Sequence, residues 1–198
     1  MYPSSIRNLI ECLKDLPGIG EKSAERLAYA IVGFDKDKID NFANTLVNIK
    51  DNIKRCPVCN CITDMDLCYI CNDKCRDSGT IFVVEKSKDI VLFEKMGTYN
   101  GRYHVLDGLI SPIDGINPED INLTSLVKRV QEDNVSEVIV VLKPSIEGET
   151  TMQYIKKILS KYNVKVSKIP IGIPMGTDIE YIDTMTLEMA FEDRKDVA

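Results

Sequence analysis

The apolar positions along the chain follow two different periods, separated by a stretch where the pattern lapses. Ile6, Leu9, Ile10, Leu13 and Leu16 recur at helical spacing, with Ser4 or Ser5 as the expected N-cap. The run breaks at Leu16-Pro17-Gly18-Ile19-Gly20, and a second stripe resumes through Ala24, Leu27, Ala28, Ile31 and Val32. Two amphipathic helices joined by a Pro-Gly-Ile-Gly turn read as a helical hairpin. A third helix follows on Ile39, Phe42, Ala43, Leu46, Ile49 and Ile53, and it runs straight into Cys56. From Thr80 the period changes. Ile81-Phe82-Val83-Val84 is a short continuous apolar run that ends in Glu85, and a helical stripe then leads through Ile90, Phe93 and Met96 to Gly97.

Further strands are expected at 103–106 and 138–142, with an alternating, edge-type strand at 164–169. Helices at about 124–134 and 150–161 lie between them, and a last one carries Met185, Leu187, Met189, Ala190 and Phe191. Strands alternating with helices predict βαβ units and a mainly parallel sheet. In such sheets, sites form at the carboxyl ends of the strands. There the sequence puts Glu85 and the expected loop from Lys143 to Glu149. The fold class is α+β in several parts: a helical hairpin region (1–55), a cysteine segment (56–78), an α/β domain (79–175) and a C-terminal segment with a helix (176–198), suited to a subunit contact.

The cysteine segment holds the most specific chemistry. Cys56-Pro57-Val58-Cys59 and Cys68-Tyr69-Ile70-Cys71 can wrap four sulfurs around one ion, and tetrahedral Zn²⁺ is the expected occupant, one per chain. Four protein ligands leave no open position, so the metal is structural and supplies folding free energy to a segment with little core of its own. A redox dithiol and a disulfide pair are the alternatives. The odd total of seven cysteines argues against a complete disulfide framework. Cys61 and Cys75 lie close enough in sequence to stand in as ligands. The N-terminus shows no secretory pattern and no apolar run approaches the roughly 20 residues that span a bilayer, so a cytoplasmic protein without membrane contact is expected.

Net charge of −6 argues against an all-over nucleic-acid surface. Its distribution is uneven: residues 1–55 carry nine Lys/Arg against eight Asp/Glu, and the remainder sixteen against twenty-three. Any DNA contact is therefore local. The turn at Gly18 and Gly20, with Lys22 and Arg26 one helical turn apart behind it, suits a phosphate: the glycines admit close backbone approach and the helix start offers free N–H groups. The alternative is a plain αα-hairpin with both cations on a solvated face. A P-loop is excluded, since Glu21 separates Gly20 from Lys22 and the turn follows a helix. The stretch 16–24 resembles the helix-hairpin-helix motif of proteins that bind DNA without reading its sequence.

Glu85 and Glu147-Gly148-Glu149 resemble the first glutamate and the E-G-E of Toprim domains, whose acids hold Mg²⁺. The family's D-x-D positions are here Lys143 and Ser145, which removes the charge a metal pair needs. Glu85, Asp89, Glu147 and Glu149 then read as an acidic patch for a basic partner, or as solvated first-turn carboxylates.

The order of parts resembles the RecR family of bacterial recombination mediators. Residues 16–24, the four cysteines, 83–89, Gly101-Arg102-Tyr103, 109–116, 144–150, Ile173-Pro174-Met175-Gly176 and Tyr181-Ile182-Asp183 carry the likeness. Asn is common at the position of Lys143 in that family. The resemblance implies a non-enzymatic clamp in recombinational DNA repair, binding single- and double-stranded DNA near the nucleoid. It further implies a ring-shaped homotetramer that works with RecO and RecF to load recombinase on gapped DNA coated by single-strand-binding protein. Lys22 and Arg26 would line the ring, and the four acids would face RecO or the side where DNA enters. The runner-up is a Mg²⁺-dependent Toprim nuclease or a topoisomerase- or primase-like enzyme using Glu85, Glu147 and Glu149. His104, the sole histidine, and Cys12 are expected to be structural.

Overall fold

The computed structural model describes residues 2–170 and 172–194 and forms two compact units, Met1–Ile53 and Lys54–Ala198. The end of the expected C-terminal segment, 195–198, lies outside the described residues.

The first unit contains α1 (Ser4–Lys14), α2 (Glu21–Val32) and α3 (Lys36–Asn52). Neither Ser4 nor Ser5 is the N-cap of α1. The chain enters through Pro3, extended at ψ 149°, and Arg7 N–H already reaches the Pro3 carbonyl at 3.1 Å. Proline fixes φ near the helical value, so the serines fall inside the first turn. Ile10, Ala24 and Ala28 are buried where α1 meets α2, and Ile19 from the turn packs against them. Two alanines one turn apart let the helix backbones approach closely. Asp35 caps α3 by accepting from Lys38 N–H at 2.8 Å. That helix buries none of its residues, and Ile39, Phe42, Leu46 and Ile49 stand exposed along one face.

In the second unit β1 (Lys54–Arg55) and β2 (Ile62–Thr63) form a small antiparallel ribbon, followed by the single turn α4 (Tyr69–Asn72). Next come β3 (Thr80–Val84), α5 (Ser87–Met96), β4 (Arg102–Val105), α6 (Thr124–Glu132), β5 (Glu137–Val141), α7 (Ile146–Leu159), β6 (Lys165–Lys168) and α8 (Thr184–Glu192). The larger sheet is parallel throughout, in the order β4-β3-β5-β6. Both faces are covered, which explains the unbroken apolar runs of the central strands. Ile81, Val83, Val138 and Val140 share one core with Leu126 of α6 and Ile155 and Leu159 of α7. Phe82 and Val84 point the other way, into a core with Ile90 of α5 and with Cys56, Cys59, Cys68 and Ile70.

That second core corrects the reading of the cysteine segment as a joint with almost no apolar core. It docks on the sheet, where it covers the edge strand β4. Val105 N–H donates to the Cys59 carbonyl at 2.8 Å, and the Asn60 amide donates to the Val105 carbonyl at 3.0 Å. Farther along the same edge Arg129 Nη1 donates to the Tyr103 carbonyl at 2.7 Å. An uncovered edge is a template for pairing with other chains, and here side chains and a loop occupy it. The α7 helix begins at Ile146, ahead of the expected 150, because Ser145 Oγ accepts from Gly148 N–H at 3.1 Å. The carboxylates expected in a loop therefore lie in a helix's first turn. Asp183 caps α8 in the same way, yet α8 buries no residue, and Met175, Ile179, Tyr181 and Phe191 are exposed around it.

Two stability predictions follow from the edge of β4. Arg129→Ala orphans the buried Tyr103 carbonyl and lowers the unfolding free energy by about 2 kcal/mol in urea titration; an unchanged midpoint would show the carbonyl finds another donor. His104 is fully buried, its Nε2 donating to the Asn122 carbonyl at 2.7 Å, and burial pushes its pKa down from 6.5 to about 4. The unfolded chain therefore takes up a proton that the folded one refuses. Stability is intact above pH 6.5 and falls between there and about 4. In His104→Gln this part of the pH dependence disappears from the melting profile.

Candidate functional site

Three places bring chemically capable side chains together, and the cysteine cluster is the most tightly built. Asn60 takes a left-handed φ of 62°, which turns the chain after Cys59 and lets Asn60 N–H reach the Cys56 carbonyl at 2.9 Å. In the second knuckle Cys68 is the N-cap of α4, and its Sγ accepts from Cys71 N–H at 3.3 Å. The Sγ atoms of Cys56, Cys59, Cys68 and Cys71 all lie within 4.8 Å of one another, and those of Cys59 and Cys68 are 3.5 Å apart. A tetrahedral ion with bonds of about 2.3 Å sets sulfurs about 3.8 Å apart, so the quartet fits one. All seven cysteines are free thiols in the structure.

Burial pushes the Cys56 thiol up, and hydrogen bonding to Cys59 pushes the Cys71 thiol up, within the quartet. The Cys61 thiol beside it pulls Cys59 down to about 7, and the Cys59 thiol holds Cys68 well below the usual thiol range. Hydrogen bonding to Cys59 and Cys68 pushes the buried Cys61 thiol up, and Cys61 lies outside the quartet. Cys75 is exposed and lies outside the quartet. The two stand-in ligands thus drop out. Cys12 is exposed on α1 and takes no part in packing, contrary to the structural role expected for it.

The hairpin turn is the second place. Gly18 has φ +82°, and Gly20 is the extended N-cap of α2 with no side chain capping it. A Cβ added at either glycine would meet nothing within 4 Å, so the turn stands open to a ligand. Lys22 and Arg26 are exposed on α2, and among the described residues neither forms an ion pair. The neighbouring acids are engaged. Glu21 pairs with Lys14 at 2.7 Å, and Glu25 accepts from the Tyr2 hydroxyl at 2.9 Å.

The third place is the crevice at the carboxyl ends of β3 and β5, adjacent strands whose following helices pass to opposite faces of the sheet. It encloses about 470 Å³ between Glu85, Lys86, Lys88 and Asp89 on one side and Leu142 and Lys143 on the other. Asp89 is a capping residue, accepting from Lys86 N–H at 2.8 Å, and Glu85 lies 3.6 Å from Lys86 Nζ. Glu147 and Glu149 sit in the first turn of α7. The Ser145 hydroxyl holds the Glu147 carboxyl below its ordinary value, and Glu149 accepts from Gln153 at 2.7 Å. Among the described residues the cysteine quartet is the one cluster of three or more ligating groups; the four acids do not converge on a point. Gly148 has a steric reason invisible in the sequence: a Cβ there would stand 2.1 Å from the Lys143 carbonyl oxygen. The sequence reading passed over Lys86 and Lys88, although their position directly after a strand-ending glutamate signals the crevice.

Substitution separates the quartet from its neighbour. Cys68→Ser loses the bound metal, read as metal per chain by elemental analysis, whereas Cys61→Ser keeps it. Equal loss in both would place Cys61 among the ligands.

Three family models match parts of the chain. A model described as RecR, helix-hairpin-helix matches residues 6–50, a Toprim domain model matches 79–170, and a model described as RecR, C-terminal matches 172–195. Among the described residues no helix is long and apolar enough to cross a membrane. Two family-specific models flank the Toprim match in the order the sequence predicts, and the chain belongs to the RecR family.

Proposed function

We infer that a place in this family gives the chain a role in recombinational DNA repair. We propose that it acts there as a zinc-stapled, non-enzymatic DNA clamp that helps RecO and RecF load recombinase on gapped DNA. The carrying observation is the pair Lys22 and Arg26, exposed without ion-pair partners among the described residues, behind a helix start at Gly20 that no side chain caps. Such groups hold a phosphate and cannot tell one base from another. Weak contacts suffice for a clamp, because several copies around one duplex multiply them. Four thiolates in tetrahedral reach favour Zn²⁺ as the metal, in a structural role with no open position.

Self-assembly into a ring needs two different contacts on each chain. The exposed apolar face of α3 supplies one candidate, and the apolar C-terminal segment with Met175, Ile179, Tyr181 and Phe191 the other. Of the four acids proposed to meet a basic partner, Glu147 and Glu149 are the better placed, since Asp89 caps its own helix and Glu85 sits beside Lys86. The nuclease reading gains nothing from the geometry: its acids do not converge, and Lys143 stands where a metal carboxylate belongs. A cytoplasmic, nucleoid-associated protein follows from this reading.

The test is equilibrium binding to fluorescent gapped DNA over a salt series. Lys22→Ala combined with Arg26→Ala weakens binding to every sequence alike and lowers the log–log salt slope by about two. Unchanged affinity would sink the hairpin assignment. DNA recovered from the same mixtures with Mg²⁺ stays intact; cutting that disappears in Glu147→Ala would put the nuclease in the clamp's place.

A further inference from the structure

The crevice at the ends of β3 and β5 carries more ammonium groups than carboxylates on its walls. Parallel sheets open such a crevice where the connections from two neighbouring strands diverge, and ligands settle there. Its walls hold three lysines, Lys86, Lys88 and Lys143, against two carboxylates, Glu85 and Asp89. Glu85 sits 3.6 Å from Lys86, and Asp89 spends an oxygen on the Lys86 N–H at 2.8 Å. Glu147 is near enough to Lys143 to feel its charge, but the Ser145 hydroxyl already engages it. Lys88 and Lys143 remain, one from each wall, both exposed and without an ion pair among the described residues. The crevice also has an apolar lining: Leu92 is 66% exposed on α5.

We propose that this crevice is a second phosphate-binding site, with the ammonium groups of Lys88 and Lys143 as its cations. A lysine binds phosphate as a mobile point charge, and two lining one crevice find in a phosphate a shared counter-ion. About 470 Å³ is room for a nucleotide-sized group, with Leu92 against its apolar part. The phosphate comes either from a nucleic-acid backbone or from a free nucleotide. Only the first source rests on the clamp reading.

The experiment uses the full chain and the combined variant Lys88→Ala with Lys143→Asn, whose exposed side chains leave the melting temperature unchanged. Pyrophosphate is titrated calorimetrically into both proteins. Binding in the parent that weakens at least tenfold in the variant is expected. Pyrophosphate that titrates equally into both, or into neither, overturns the site. Single-stranded DNA and ADP then identify the source. A salt slope for DNA lower by one to two in the variant assigns the site to backbone phosphate. An unchanged slope, with ADP binding more tightly than pyrophosphate in the parent alone, assigns it to a nucleotide. Lys22→Ala with Arg26→Ala retains pyrophosphate binding. A parent that binds pyrophosphate but no DNA therefore refutes the clamp and leaves this site standing.

Discussion

Four sulfurs held within 4.8 Å of one another at the edge of a parallel sheet form the arrangement on which the second unit depends. Thiolates so close repel unless a cation sits among them, so the knuckles keep their shape only while the charge is balanced. That shape in turn serves the sheet. Cys59 lends its carbonyl to Val105, Asn60 lends its amide, and the buried sulfurs share a core with Phe82, Val84 and Tyr103. β4 is thus an edge strand whose outer groups are met by the turn at Cys59 and Asn60 at one end and by Arg129 at the other. Loss of the ion would reach past its ligands to the strand beside them, and from there to the crevice beyond β3.

The same reasoning about charge explains how an acidic chain meets an acidic polymer. Its surplus of carboxylates is not spread evenly over the places that matter. On the hairpin, Glu21 is held by Lys14 and Glu25 by the Tyr2 hydroxyl, so the two cations behind the turn keep their field. In the crevice, Asp89 is used by its own helix. Local pairing decides which charges a partner meets, and net charge says little about it beyond a Debye length of roughly 10 Å at 0.1 M salt.

Much of this architecture was legible in the sequence because it rests on short-range periodicity. The three N-terminal helices, the strands at 80–84 and 137–141 and the edge strand at 165–168 follow from spacing alone, and so does the cysteine quartet. What escaped has a common cause. The docking of the knuckle depends on Cys59 meeting Val105, and the cover of β4 on Arg129 meeting Tyr103. Neither pair leaves a trace in local pattern. The start of α7 was misplaced for a different reason: Glu-Gly-Glu reads as loop, and only the Ser145 cap extends the helix back over it. At α1 proline supplied the entry geometry that serine was expected to give.

Gly148 shows why a family's frame can outlast its chemistry. The glycine brings the start of α7 against the Lys143 carbonyl, at a distance no side chain tolerates. That backbone contact fixes where the residue at 143 emerges, whatever its side chain is. A carboxylate there would face Glu85 across the crevice and call for a metal between them. An ammonium in the same place makes the crevice answer to an anion, with no change in the path of the chain. Backbone packing sets the position and the side chain sets the sign, so the fold constrains where this protein binds far more tightly than what it binds.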